Sequence, residues 1–164
     1  MPDTPASVLV LGLGNDILTD DAVGLHVVQA VRERLAGNAR IEVKATTEMG
    51  LALLDEIVAR DGLVLVDSVQ TGQAPAGTIH EFGPEALARV VTTSPHFLGV
   101  GETLALGRLL DLKMPRQVRI FAIEVADPYT LGMQMTVAVE RAVPEAADRV
   151  AAQARAFAEA TPER

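Results

Sequence analysis

At 164 residues the chain is long enough to bury one core and needs no second, so a single domain over 1–164 is expected. It carries 14 basic against 22 acidic side chains, a formal charge of −8, with the basic residues scattered, which disfavours a nucleic-acid partner. Cysteine is absent, so disulfides, thiolate metal sites and thiol nucleophiles cannot come from this chain's side chains; any metal must be held by His, Asp, Glu or backbone oxygen.

In chain order, "MPDTPAS" lacks the basic and apolar regions of a signal peptide, and runs such as "LVLV" are too short to span a bilayer. A cytoplasmic protein with no membrane partner is expected. "SVLVLG" (7–12) reads as a strand covered on both faces, because its apolar run is nearly continuous. "DDAVGLHVVQAVRERLAG" then places Val23, Val27, Ala30, Val31 and Leu35 on one helical stripe, with Gly37 as the stop. "IEVKA" (41–45) is a second strand, and "EMGLALLDEIVARD" gives Leu51, Leu54, Ile57 and Val58 helical spacing.

"LVLVDS" (63–68) is a third strand, and "GTIHEF" (77–82) alternates after a turn-rich stretch, as an edge strand or an antiparallel addition would. "SPHFLGVGETLALGRLLDL" predicts a helix with Ser94 as N-cap and Pro95 in its first turn. "QVRIFAIE" (117–124) is the last strand. The C-terminal stretch from Met135 to Ala160 is helical on both sides of Pro144, which should kink the helix or restart it. This alternation predicts an α/β fold: a three-layer α/β/α arrangement with a central twisted, mostly parallel sheet of about five strands.

In such sheets ligands gather beyond the carboxyl ends of the strands. That end holds Asp16, Asp20 and Asp21 after the first strand, Asp67 ending the third, and His96 in the first turn of a helix. Asp20 or Asp21 could equally cap a helix and complement its dipole, and Asp67 could bond nearby turn amides. His96 is less easily dismissed, since its cation would oppose the positive end of the dipole; neutral imidazole is favoured there and is also the metal ligand.

Elsewhere, His26 reads as a core or boundary residue, His80 as a surface residue and Glu102 as outward-facing. Glu124 and Asp127 stand where they could contact a substrate or cap a loop. A dinucleotide loop would need glycine where Ile17 stands, and Asp16 and Asp20 would crowd phosphates. Neither a nucleophile elbow nor a Walker A pattern occurs. A constellation of carboxylates and one histidine survives.

Three stretches, "GLGNDILTDDAVG", "LVLVDSVQTGQAPAGT" and "SPHFLGVGETL", together resemble the hydrogenase maturation proteases in order and spacing, over nearly the whole chain. Those endopeptidases remove the C-terminal extension of the [NiFe] hydrogenase large-subunit precursor. The resemblance implies that Asp21, Asp67 and His96 are the metal-contacting and catalytic residues. It also implies that the metal is nickel carried by the precursor, whose thiolates would complete its coordination. Many relatives carry glutamate at the place of Asp21, and "ATTEMG" (45–50) replaces a glycine-rich stretch. Gly12, Gly14 and Asn15 would shape the first loop, by positive φ and close backbone approach for the glycines and by a side-chain bond for Asn15. Gly99 and Gly101, costly in a helix, imply close packing or room for the substrate tail. A monomer is expected for the free protein.

Overall fold

The apolar runs conceal a period of two. In "VLVL" (8–11) and "LVLV" (63–66), valines and leucines alternate, and a strand sends alternate side chains to opposite faces. The computed structural model describes residues 6–48, 50–89 and 95–162, with backbone alone for 88, 89 and 95–98. In it, strands β1 (Val8–Leu13) and β3 (Gly62–Val69) send Val8, Val10, Val64 and Val66 into one core layer. Leu9, Leu11, Leu63 and Leu65 enter the other.

Five strands form one sheet in the order β2-β1-β3-β5-β4, with β2 spanning Ile41–Thr46, β4 Ile79–Phe82 and β5 Gln117–Glu124. β1 pairs in parallel with β2 and β3, and β3 with β5, while the edge strand β4 runs antiparallel to β5 with Ile79 opposite Ile123. The valine face is covered by α1 (Val23–Arg34) and α5 (Val137–Ala160). The leucine face is covered by α2 (Leu54–Ile57), α3 (Ala86–Arg89) and α4 (Pro95–Leu109). The expected three-layer α/β fold is therefore the observed one. Each fully buried Val or Leu contributes roughly 1.5–3 kcal/mol against about 0–1 for an exposed ion pair, so the two core layers, not the surface charges, decide the architecture.

Two elements depart from expectation. The 48–61 stretch is not one helix: a 3-10 turn (Gly50–Leu53) leads into the single-turn α2, and Leu51 is exposed. Val58 is already extended and Ala59 has φ +66°, because the chain is drawn back to the sheet: the Ala59 N–H donates to the Lys113 carbonyl (2.8 Å) and the Asp61 N–H to Ser7 (2.8 Å). At the C-terminus, α5 runs unbroken through Pro144, with Val139, Ala142, Ala146 and Val150 buried around it. Burial of one continuous stripe outweighs the lost backbone hydrogen bond. The expected Ser94 cap lies outside the described residues. Among those residues no helix is long and apolar enough to cross a membrane.

Candidate active site

The carboxyl ends of β1 and β3 lie side by side, and the loop leaving β1 must turn sharply back into α1. Asn15 starts that turn: its side-chain carbonyl accepts from the Ile17 N–H (3.1 Å), and its own N–H donates to the Asp21 carbonyl (3.3 Å). A short 3-10 turn (Asp20–Ala22) then feeds α1. Gly12 and Gly14 do not adopt positive φ, contrary to expectation. What the loop demands of Gly14 is space, since a Cβ there would sit 2.4 Å from the Asp21 carbonyl oxygen. Gly24 does the same from the helix side: its Cβ would meet the carbonyl oxygens of Leu13 at 2.4 Å and Val66 at 2.7 Å. The start of α1 thereby rests on the ends of both strands.

Asp20 and Asp21 consequently face different partners. Asp20 is fully buried and does not cap its own helix. Its carboxylate crosses to the segment after β5, accepting from the N–H groups of Ala126 (3.1 Å), Asp127 (2.9 Å) and Thr136 (2.7 Å) and from the Thr136 hydroxyl (2.9 Å). Thr19 adds a hydroxyl bond to the Asp127 carbonyl (2.6 Å), and Leu18 forms an antiparallel bridge with Leu131. Asp16 is exposed on the turn.

Asp21, partly exposed, accepts from the Ser68 hydroxyl at 2.6 Å. Asp67, fully buried at the end of β3, accepts from the Ser68 N–H at 2.7 Å. Two of the three expected residues are thus brought together through a serine the sequence reading passed over. Its only signal there was its place directly after the strand-end aspartate. His96 is the second residue of α4, and its side chain lies outside the described residues. Its helix is anchored at the same end of the sheet: Gly99 packs against Gly50, which follows the carboxyl end of β2, and the Thr103 hydroxyl bonds the Gly50 carbonyl (3.0 Å). Of the two roles expected for Gly99, the structure displays close packing. Among the described residues no group of three His, Asp or Glu comes within reach of one metal ion.

Glu124, Asp127 and His80 make contacts within the scaffold. Glu124 is buried at the end of β5 and accepts from the Thr71 N–H (2.8 Å) and hydroxyl and from His80 Nε2 (3.1 Å). Burial pushes its carboxyl up, but the bonds from Thr71 and His80 outweigh this and hold it below the usual range. Asp127 is lowered too, by bonds from the side chain and backbone of Thr130 and from the Tyr129 N–H, which make it a loop cap. His80, expected at the surface, is half-buried: it pairs with Glu124 and stacks on Phe82 at 5.8 Å. His26, expected in the core or at its boundary, is exposed, because α1 buries the stripe of Val23, Val27 and Val31 and turns position 26 outward. Glu102 is exposed as expected.

Comparison with known proteins gives this arrangement a context. A curated hydrogenase 2 maturation protease from Escherichia coli (strain K12) is 29% identical over 152 residues, covering 90% of each chain. The solved structure of the hydrogenase maturating endopeptidase HybD from E. coli superposes with a TM-score of 0.79 at 27% identity, covering 91% of this chain and 92% of that one. A [NiFe] hydrogenase maturation protease HybD from Thermococcus kodakarensis shares the fold, with a TM-score of 0.73, 24% identity and coverage of 90% and 98%. The family model for hydrogenase maturation protease matches residues 6–153, and the chain belongs to that family.

Proposed function

We propose that this protein is the endopeptidase that removes the C-terminal extension of a [NiFe] hydrogenase large-subunit precursor after nickel insertion, reading the substrate-borne nickel with Asp21, Asp67 and His96. The observation that supports this reading is the pairing across Ser68 of Asp21, from the turn that follows β1, with Asp67, from the end of the adjacent parallel strand β3. Carboxylate oxygens and a neutral imidazole suit a divalent nickel ion whose remaining positions are filled by the precursor's own ligands. The scissile peptide beside that nickel is hydrolysed by water: its C–N bond breaks, the precursor keeps a new carboxylate terminus, and the extension leaves with the amine. The metal polarises the carbonyl or the attacking water, and the carboxylates hold the metal and accept hydrogen bonds from that water.

The surroundings fit a macromolecular substrate. Ile17, Tyr129, Leu131 and Met133 stand exposed on the two loops that the Leu18–Leu131 bridge joins, beside the turn that presents Asp21. Apolar groups gathered next to a polar site suit a protein surface better than a small polar metabolite.

The test is incubation with nickel-loaded large-subunit precursors, followed by intact-mass measurement of the fragment. Wild type should release one C-terminal peptide. Asp21→Ala, Asp67→Ala and His96→Ala should keep the wild-type circular dichroism spectrum yet leave the precursor whole over a period in which wild type converts all of it. Processing by all three variants at the wild-type rate would overturn the reading. An intact precursor retained by wild type would point to a non-cleaving assembly chaperone, and stoichiometric metal in the precursor-free protein would point to a conventional metallohydrolase.

A further inference from the structure

We infer that Ser68 is a positioning residue that sets the two carboxylates of the site at once, its hydroxyl holding Asp21 and its amide holding Asp67. This rests on the reading of Asp21 and Asp67 as the nickel-facing pair. Ser68 is nine-tenths buried, so its hydroxyl does not exchange freely between carboxylate and solvent. Its Oγ donates to Asp21 Oδ1 at 2.6 Å, and among the described residues it is the sole hydrogen-bond partner of that carboxylate. Its N–H donates to Asp67 Oδ1 at 2.7 Å.

The geometry follows from the strand. Alternation along β3 assigns Ser68, like Val64 and Val66, to the face covered by α1, and Asp67, like Leu63 and Leu65, to the face covered by α4. Asp21 comes from the turn that feeds α1 and Asp67 from the opposite face of β3, so the two carboxylates would diverge, and as like charges they would repel. A serine between them offers the positive ends of two dipoles, one to each. Each bond is charge-assisted and short, and each fixes one oxygen of its carboxylate, so the orientation of the other is set as well. At position 21 the constraint matters most, because that side chain stands partly in solvent at the first turn before α1 and is tied by nothing else described.

The test compares wild type, Ser68→Ala and Ser68→Thr. Alanine keeps the amide bond to Asp67 and deletes the bond to Asp21, whereas threonine keeps both donors. Single-turnover cleavage of the nickel-loaded precursor at saturating enzyme should slow about 10- to 100-fold in Ser68→Ala, the usual range for losing a residue that orients a metal ligand, and recover in Ser68→Thr. The thermal midpoint should not move with the rate. The carboxyl-carbon NMR signal of Asp21 should shift in Ser68→Ala, while that of Asp67 should not. Cleavage by Ser68→Ala at the wild-type rate, or a rate loss matched by a fall in thermal midpoint, would overturn the proposal. If wild type cuts no precursor, the proposed function fails, and the NMR comparison still decides Ser68: an unmoved Asp21 signal would overturn its role.

Discussion

Adjacent aspartates at 20 and 21 illustrate how one residue of displacement separates a buried scaffold carboxylate from a partly exposed one at the candidate site. Asp20 is a buried acceptor for three backbone N–H groups and a hydroxyl contributed by residues 126–136. Removing it orphans those donors at roughly 1–3 kcal/mol each before water compensates. Asp20→Ala should therefore lower unfolding free energy by about 3–5 kcal/mol, measured by urea titration. Asp21→Ala, deleting a half-exposed side chain with one described bond, should leave the urea midpoint near wild type. Glu124 supplies a second residue-scale prediction. Its folded carboxyl lies below the usual value, so its contribution is present above the unfolded pKa of about 4.3 and is lost as pH falls through the lowered folded value. Between pH 6 and 3, the urea midpoint of wild type should fall more steeply than that of Glu124→Gln. Equal slopes would show that Thr71 and His80 do not favour the ionised form.

At the scale of elements, the site depends on how closely α1 can approach the sheet. Gly24 lets the helix meet two strand-end carbonyls, and the atoms a Cβ would strike are backbone, which cannot swing aside. Gly24→Ala should cost about 1–3 kcal/mol by overpacking. For a chain of this size that lowers the thermal midpoint by roughly 2–4 °C per kcal/mol. The displaced helix should also draw Asp21 away from Ser68, so cleavage should fall even at temperatures where the variant stays folded. Full activity in a folded Gly24→Ala variant would show that the close approach does not set the site. The failed helix at 48–61 and the unbroken one through Pro144 carry one lesson. Apolar spacing proposes a helix, but tertiary hydrogen bonds end it in the first case and a buried stripe carries it through in the second.

Across the whole molecule, the sheet was legible because its signal is local. Runs of Val and Leu mark the central strands, and the alternating "GTIHEF" marked an edge or antiparallel strand, as β4 proves to be. Asp21 and Asp67 were legible as strand-end carboxylates for the same reason. Ser68 was not: its bond to Asp21 spans 47 residues and exists only because β1 and β3 are neighbours. The work of Asp20 was hidden for the same cause, since a strand-end aspartate looks alike in sequence whether it crosses to a distant loop or caps its own helix. That bond from Asp20 to Thr136 spans 116 residues. Loop closure over such distances is a late and slow event in folding. During synthesis the turn carrying Asp21 is therefore without its anchor until the start of the C-terminal helix has been made and docked, so the candidate site is among the last parts of the molecule to be assembled.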